Sequence, residues 1–223
     1  IFTSINTSIP DVSVSVSGTI TSADLPVPAP WALITDISSV DIGADVTDIS
    51  DNTFLSASNM TSVFIPNSVD TIGESAFQSS GLTSITIPAS LMSIGENAFY
   101  FCSSLTSVSF ESGSQLTTIG NGAFQSSGLN SITIPSSVTT IEEYGFYQCY
   151  SLTSVSFESG SQLTSIGYRA FRESGLIGSI TLPASVTNLG TGGGGVFRLC
   201  STLTSVNFES GSQLDIIWSN CFE

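Results

Sequence analysis

The residues with chemical potential are few, and their spacing is regular. Cys102, Cys149 and Cys200 recur along the chain, with Cys221 behind them. Thiols in such a series raise disulfide formation, metal ligation and inert packing as alternatives. Ligation has little support, because there is no histidine and no C-x-x-C pair. Glu142 and Glu143 offer a carboxylate pair, but neighbours on a strand face opposite ways. Glu111, Glu158 and Glu209 line up as weak cation ligands. Lacking the Asp-rich spacing of a calcium loop, they read as a solvated acidic ridge. The run Gly192–Gly195 suggests a phosphate nest, yet it has no lysine and no strand–loop–helix frame, so it reads as a flexible insertion. With no His, no Lys and no nucleophile beside a base, the sequence predicts neither an enzyme nor a cofactor.

The elements that position these residues follow from eight phenylalanines: Phe54, Phe77, Phe99, Phe124, Phe146, Phe171, Phe197 and Phe222. They fall 22–26 residues apart, the period of a solenoid whose turns bury apolar faces against one another. In one unit, Leu105, Val108 and Phe110 follow L-x-x-L-x-L, with Val108 and Phe110 inward and Ser107 and Ser109 outward. Leu116 and Ile119 form a second inward pair, Gly120 permits a bend, and Ala123-Phe124 closes the turn. A two-turn period lies on top. Turns ending in Ile87-Pro88 or Ile134-Pro135 alternate with turns carrying Phe-Glu-Ser-Gly-Ser-Gln from Phe110, Phe157 and Phe208, as duplication of a two-turn unit would leave. Cys102, Cys149 and Cys200 then share a column in every second turn. Turns stack about 4.8 Å apart, so these thiols sit about 10 Å from one another, beyond disulfide reach. Free thiols packed as small hydrophobes are expected, with Cys221 in the place of Ala123.

The motif Leu-Thr-Ser-Val-Ser-Phe…Gln-Leu-Thr-Ser-Ile-Gly…Ala-Phe, clearest from Leu152 to Phe171, resembles the BspA-like leucine-rich repeats of bacterial and protist surface proteins. The likeness runs from about Ile37 to Phe222. It implies a right-handed, strand-rich leucine-rich repeat solenoid with short helical or irregular turns, about eight turns in all, secreted or at the cell surface and often adhesive. It brings no catalytic residues. The expected organisation is an N-terminal arm with a Pro-rich spacer at residues 1–33, then the solenoid at 34–223.

Composition agrees with an extracellular setting. The 223 residues carry a net charge of −15, their three cations being Arg169, Arg172 and Arg198. Such a charge repels phosphate backbones and anionic membrane surfaces, so neither nucleic acid nor membrane is an expected partner. No stretch reaches the roughly 20 apolar residues of a bilayer-spanning helix. A chain starting at Ile1 fits a mature product or a fragment, and Asn6-Thr-Ser8 and Asn59-Met-Thr61 are possible N-glycosylation sites of a glycoprotein.

Two surfaces remain. One is an outward face of short hydroxyl side chains in rows: Ser84, Ser107, Ser131 and Ser154 beside Thr86, Ser109, Thr133 and Ser156. Duplication alone accounts for these rows; glycan display, sheet-to-sheet contact and ice binding are the functional alternatives. The other surface is the pair of ends. The last turn runs Leu214, Ile216, Trp218, Phe222 in repeat register without a polar cap. At the other end a strand-like alternation covers positions 13 and 15 (Ser13 and Ser15, between Val12, Val14 and Val16). The stiff Leu25–Pro30 spacer and Trp31 follow it. That arm can cap its own first turn or add a strand to a neighbour. The leading expectation is an extracellular structural protein assembling head to tail into a filament. The alternative is a cell-surface adhesin for extracellular proteins or glycans.

Overall fold

The computed structural model describes the backbone of residues 13–16 and the whole of residues 38–223. Along the latter, alternating Ser-Ile-Thr-Ile and Ser-Val-Ser-Phe segments become long strands whose apolar members point inward. β1 (Ser13–Val16) and β2 (Ser39–Ile42) open the series of strands. We number the turns by their phenylalanines, from turn 1 (Phe54) to turn 8 (Phe222). Equivalent residues pair in parallel register: Ser84 lies beside Ser107, Ile85 beside Val108 and Ile87 beside Phe110.

Each turn contributes a long strand to one face and a short strand to another. The short strands, from Asp48–Ile49 to Ile216–Ile217, form one eight-stranded parallel sheet. The long strands form three hydrogen-bonded groups. One break precedes turn 7, where one extra residue at Ile177-Gly178 puts Gly178 at φ +72° and shifts the register to its successor. The coil is the expected right-handed parallel solenoid. Of the two turn types expected, irregular ones are found; no helix occurs among the described residues.

The phenylalanines stack along the axis at one corner, with ring centroids 5.1–6.2 Å apart. Residues two before and two after each ring adopt left-handed backbone, as at Asn97 (φ 54°) and Phe101 (φ 56°) around Phe99. This alternation aims successive N–H groups the same way. Asn97, Phe99 and Phe101 therefore all donate to the following turn, to the carbonyls of Asn121, Ala123 and Gln125. Gly120 has another role than the bend read from the sequence. A Cβ there would strike the backbone of Ile94 and Gly95, so glycine lets neighbouring turns approach closely.

β1 pairs in parallel with β2, Ser13 beside Ser39, an offset of 26 residues. That offset lies within the repeat period, so the backbone of β1 forms an extra rung before turn 1. The boundary expected at 33/34, together with Trp31 and Asn6, lies outside the described residues.

Candidate interaction surfaces

The four thiols are free and buried. Cys102, Cys149 and Cys200 each donate to the carbonyl of the phenylalanine one turn back, at 3.0 Å. Each also lies 3.3–3.4 Å from a serine hydroxyl, of Ser80, Ser127 and Ser174 respectively. Burial pushes the Cys149 thiol up to about 11. These contacts give the column a structural task in every second turn.

Three expectations need correction. Glu111, Glu158 and Glu209 are more than a solvated ridge. Their carboxylates accept backbone N–H groups of Ala89, Ser136 and Ala184 one turn back, at 2.9–3.2 Å, and so cap the loop after each proline. Glu142 and Glu143 do not face opposite ways along a strand. They follow the short strand Thr140–Ile141 and both line a cavity of about 310 Å³ with Asn121 and Gly192. The Gly192–Gly195 segment is a packed turn rather than a loose insertion. Gly193 and Gly194 donate to the Gly190 carbonyl, and the Ser219 backbone leaves no room for a side chain at Gly194.

The hydroxyl face is exposed as expected, and half of it is paired between turns. Thr86 bonds Ser109 at 3.0 Å and Thr133 bonds Ser156 at 2.9 Å, each from one turn to the next. Beside them, Thr83, Thr106 and Thr153 donate to main-chain carbonyls of the preceding turn. On the short-strand face Thr117, Thr139, Thr164 and Thr187 do the same. The threonine rows therefore have a stacking role.

At the ends, Leu214 is half-buried against the core, whereas Ile216, Ile217, Trp218 (44 % exposed) and Phe222 (53 %) are open. Phe222, Ile217, Phe208 and Phe197 border a cavity of about 390 Å³. Asn59 is exposed at a corner.

The phenylalanine corner changes character along its length. In turns 1–3 its outer surface carries exposed Asp51, Glu74 and Glu96. In turns 5–7 it carries all three arginines and four of the five tyrosines. Tyr144 meets Tyr147 and Tyr168 edge-on at 5.7 and 5.4 Å. Arg169 lies over the Tyr168 ring at 4.5 Å and Arg172 over Tyr147 at 5.8 Å, both in cation–π geometry, with Arg172 also paired to Glu173. Desolvation, and then the neighbouring Tyr168, pushes the Tyr144 hydroxyl up. The Gln148 amide, and then Arg172, hold the Glu173 carboxyl down. Next to this patch, Phe101 (52 % exposed) and Tyr150 (65 %) face each other across a groove of about 450 Å³ floored by Ser126, Ser127 and Gly128.

A family model for the BspA type leucine rich repeat region matches residues 33–149 and 117–223, with six copies. The chain belongs to the BspA-type leucine-rich repeat family. A leucine-rich repeat protein from Bacteroides ovatus is similar to this BspA-type coil at 25 % identity and a TM-score of 0.71, over 94 % of this chain and 61 % of that one. The pneumococcal vaccine antigen PcpA shares 18 % identity, with a TM-score of 0.63, over 91 % of this chain and 62 % of that one. A leucine-rich repeat protein from T. pallidum (TpLRR) shares 22 % identity, with a TM-score of 0.61, over 73 % of this chain and 76 % of that one. The latter two likenesses concern the fold alone. The chain spans about three fifths of the length of the first two. No curated protein sequence matches it.

Within this BspA-type array, the Tyr/Arg corner is the surface that motif reading missed. Its signal was compositional: every cation falls between positions 169 and 198, and three tyrosines fall between 144 and 150.

Proposed function

We propose that the chain is a non-enzymatic, secreted or surface-displayed repeat protein that docks other proteins against the side of its coil. The carrying observation is the Tyr/Arg corner of turns 5–7. Tyrosine and arginine dominate binding hot spots because each combines apolar area with directed polar groups. Here they are gathered on one stretch of the coil, interleaved with Glu142, Glu143 and Glu173, a mixed surface suited to a protein partner. An adhesion assay on immobilised cells and matrix proteins tests this. Arg169→Glu combined with Arg172→Glu should reduce binding at least about tenfold. Full binding by that double variant would overturn the reading.

A second reading, head-to-tail stacking into a filament, is favoured by the apolar surface that follows turn 8. A further turn of the same pattern, whether a continuation or another copy, would cover Trp218 and Phe222. The N-terminal strand is paired with its own first turn, so this reading needs β1 as the receiving edge or its displacement. Electron microscopy across a concentration series decides between them. Fibres with an axial repeat of eight turns, about 38 Å, plus the arm support stacking. Single rods at every concentration sink it. Intact mass likewise reports whether Asn59 carries sugar.

A further inference from the structure

We infer that the groove between Phe101 and Tyr150 is a binding site for a neutral saccharide, held by stacking on the two aromatic rings and by hydroxyl contacts with the lining. The site lies beside the Tyr/Arg corner and does not depend on what that corner docks.

The repeat itself shows that the coil needs neither ring. Phe101 stands two residues after its core phenylalanine, where the other odd turns carry Ser56, Gln148 and Leu199. Tyr150 stands four after its own, where they carry Ser58, Ser103 and Ser201. The same two positions flank turn 2 as Ser56 and Ser103, and turn 6 as Gln148 and Ser201. Only across turn 4 are both aromatic. Both rings are mostly exposed, and Phe101 keeps its bulk at φ 56°, left-handed backbone that favours smaller residues. Exposed aromatic area kept at such a position belongs to a ligand rather than to folding.

Both walls are steadied from behind. Tyr100 packs edge-on against Phe101 at 4.6 Å, and the Tyr150 hydroxyl donates to Glu173 Oε2 at 3.4 Å. Gln148 donates to the same oxygen at 2.9 Å. A slot set before its ligand arrives loses less freedom on binding.

The chemistry of the slot selects the ligand. Its volume, about 450 Å³, is that of a small-ligand pocket. Turns 3 and 5 are two rungs, about 10 Å, apart. A flat aromatic ligand is too thin to meet both rings. A puckered pyranose is not, and its C–H face suits the negative face of an aromatic ring. The remaining lining is serine hydroxyls, the Gln148 amide and Gly128, with no charge among them. Ser103 and Ser151 are exposed, their hydroxyls able to donate to and accept from those of a sugar. Backbone N–H groups beneath the groove are already paired between turns, Phe101 with Gln125, Ser126 with Tyr147 and Gln148 with Arg172, so no edge remains for a peptide strand. Glu173 beside Tyr150, and a net charge of −15, repel sulfated or sialylated chains.

A microarray of neutral gluco-, galacto- and manno-oligosaccharides, with sialylated and sulfated chains beside them, tests the assignment on the full chain. The wild type should bind neutral members. Phe101→Ser and Tyr150→Ser, which install the residue that other turns already carry, should each weaken the best of them at least about tenfold by calorimetry. Leu199→Ser, in the Phe101 column but two odd turns beyond it, should bind as the wild type does. Circular dichroism and thermal unfolding check that all three keep the fold. Absence of any neutral binder, or binding that survives both aromatic substitutions, would overturn the proposal. So would a loss of adhesion to unglycosylated protein in the Phe101 and Tyr150 variants with no sugar bound, which would assign the groove to a protein partner.

Discussion

The long-strand face and the phenylalanine corner come from the same repeat, yet they use sequence in opposite ways. On the strand face many hydroxyls bond a counterpart or a carbonyl one turn away, as Thr86 does with Ser109 and Thr106 does with the Thr83 carbonyl. A change there breaks a row, so the residues stay alike. At the corner a continuous backbone ladder joins the turns, from Phe99 to Ala123 and from Phe101 to Gln125. That ladder does not depend on which outer side chains are present, and these vary from glutamate to tyrosine to arginine. Uniformity marks the load of the coil, and variety marks what it presents.

Breaking what both regions share should have the largest effect. Phe124→Ala interrupts the ring stack at turn 4, with Phe99 and Phe146 5.1 and 5.4 Å away on either side. It should cost about 3–5 kcal/mol in denaturant unfolding. A loss under about 1 kcal/mol would mean that the stack is not continuous.

The buried thiols give a pH test of the same core. Cys149 has its pKa raised from 9.0 to about 11, so between those values the unfolded chain loses the proton and the folded chain keeps it. Stability should then fall as pH rises, by up to about 1.4 kcal/mol per pH unit, and level off above the folded value. Cys149→Ala should flatten that decline in equilibrium unfolding. An unaltered slope would assign it to other groups.

On the strand face, Thr139→Val removes a hydroxyl bonded to the Thr117 carbonyl at 3.1 Å. About 1 kcal/mol of stability should be lost, with adhesion untouched. At the corner, Arg172→Gln should shift stability by no more than about 0.5 kcal/mol while reducing binding. If the threonine change reduces binding, or the arginine change mainly unfolds the protein, the contrast between the regions is wrong.

Fold and period were legible because the side chains that set them are buried and repeat: Phe, Ile and Leu columns admit few substitutes. The Glu111 cap was illegible because its partner, the Ala89 N–H, is a backbone group 22 residues away. The task of Gly120 was hidden likewise, since a backbone approach between turns leaves no side-chain pattern. β1 was legible as a strand from its alternation, but whether it pairs with its own first turn or with a neighbour was not, because pairing partners leave no mark in a four-residue pattern. The Tyr/Arg corner was visible only as clustering, since free outer positions obey no period.

The one-way backbone bonds of the phenylalanine corner also act as a clock for amide exchange. Phe197 and Leu199 give their N–H groups to Cys221 and Glu223, so these amides are shielded by a turn to which they do not belong. When turn 8 frays, solvent deuterium enters at turn 7. Each corner amide thus reports the opening of its successor, and exchange rates read along the eight rings would time the unwinding of the coil turn by turn.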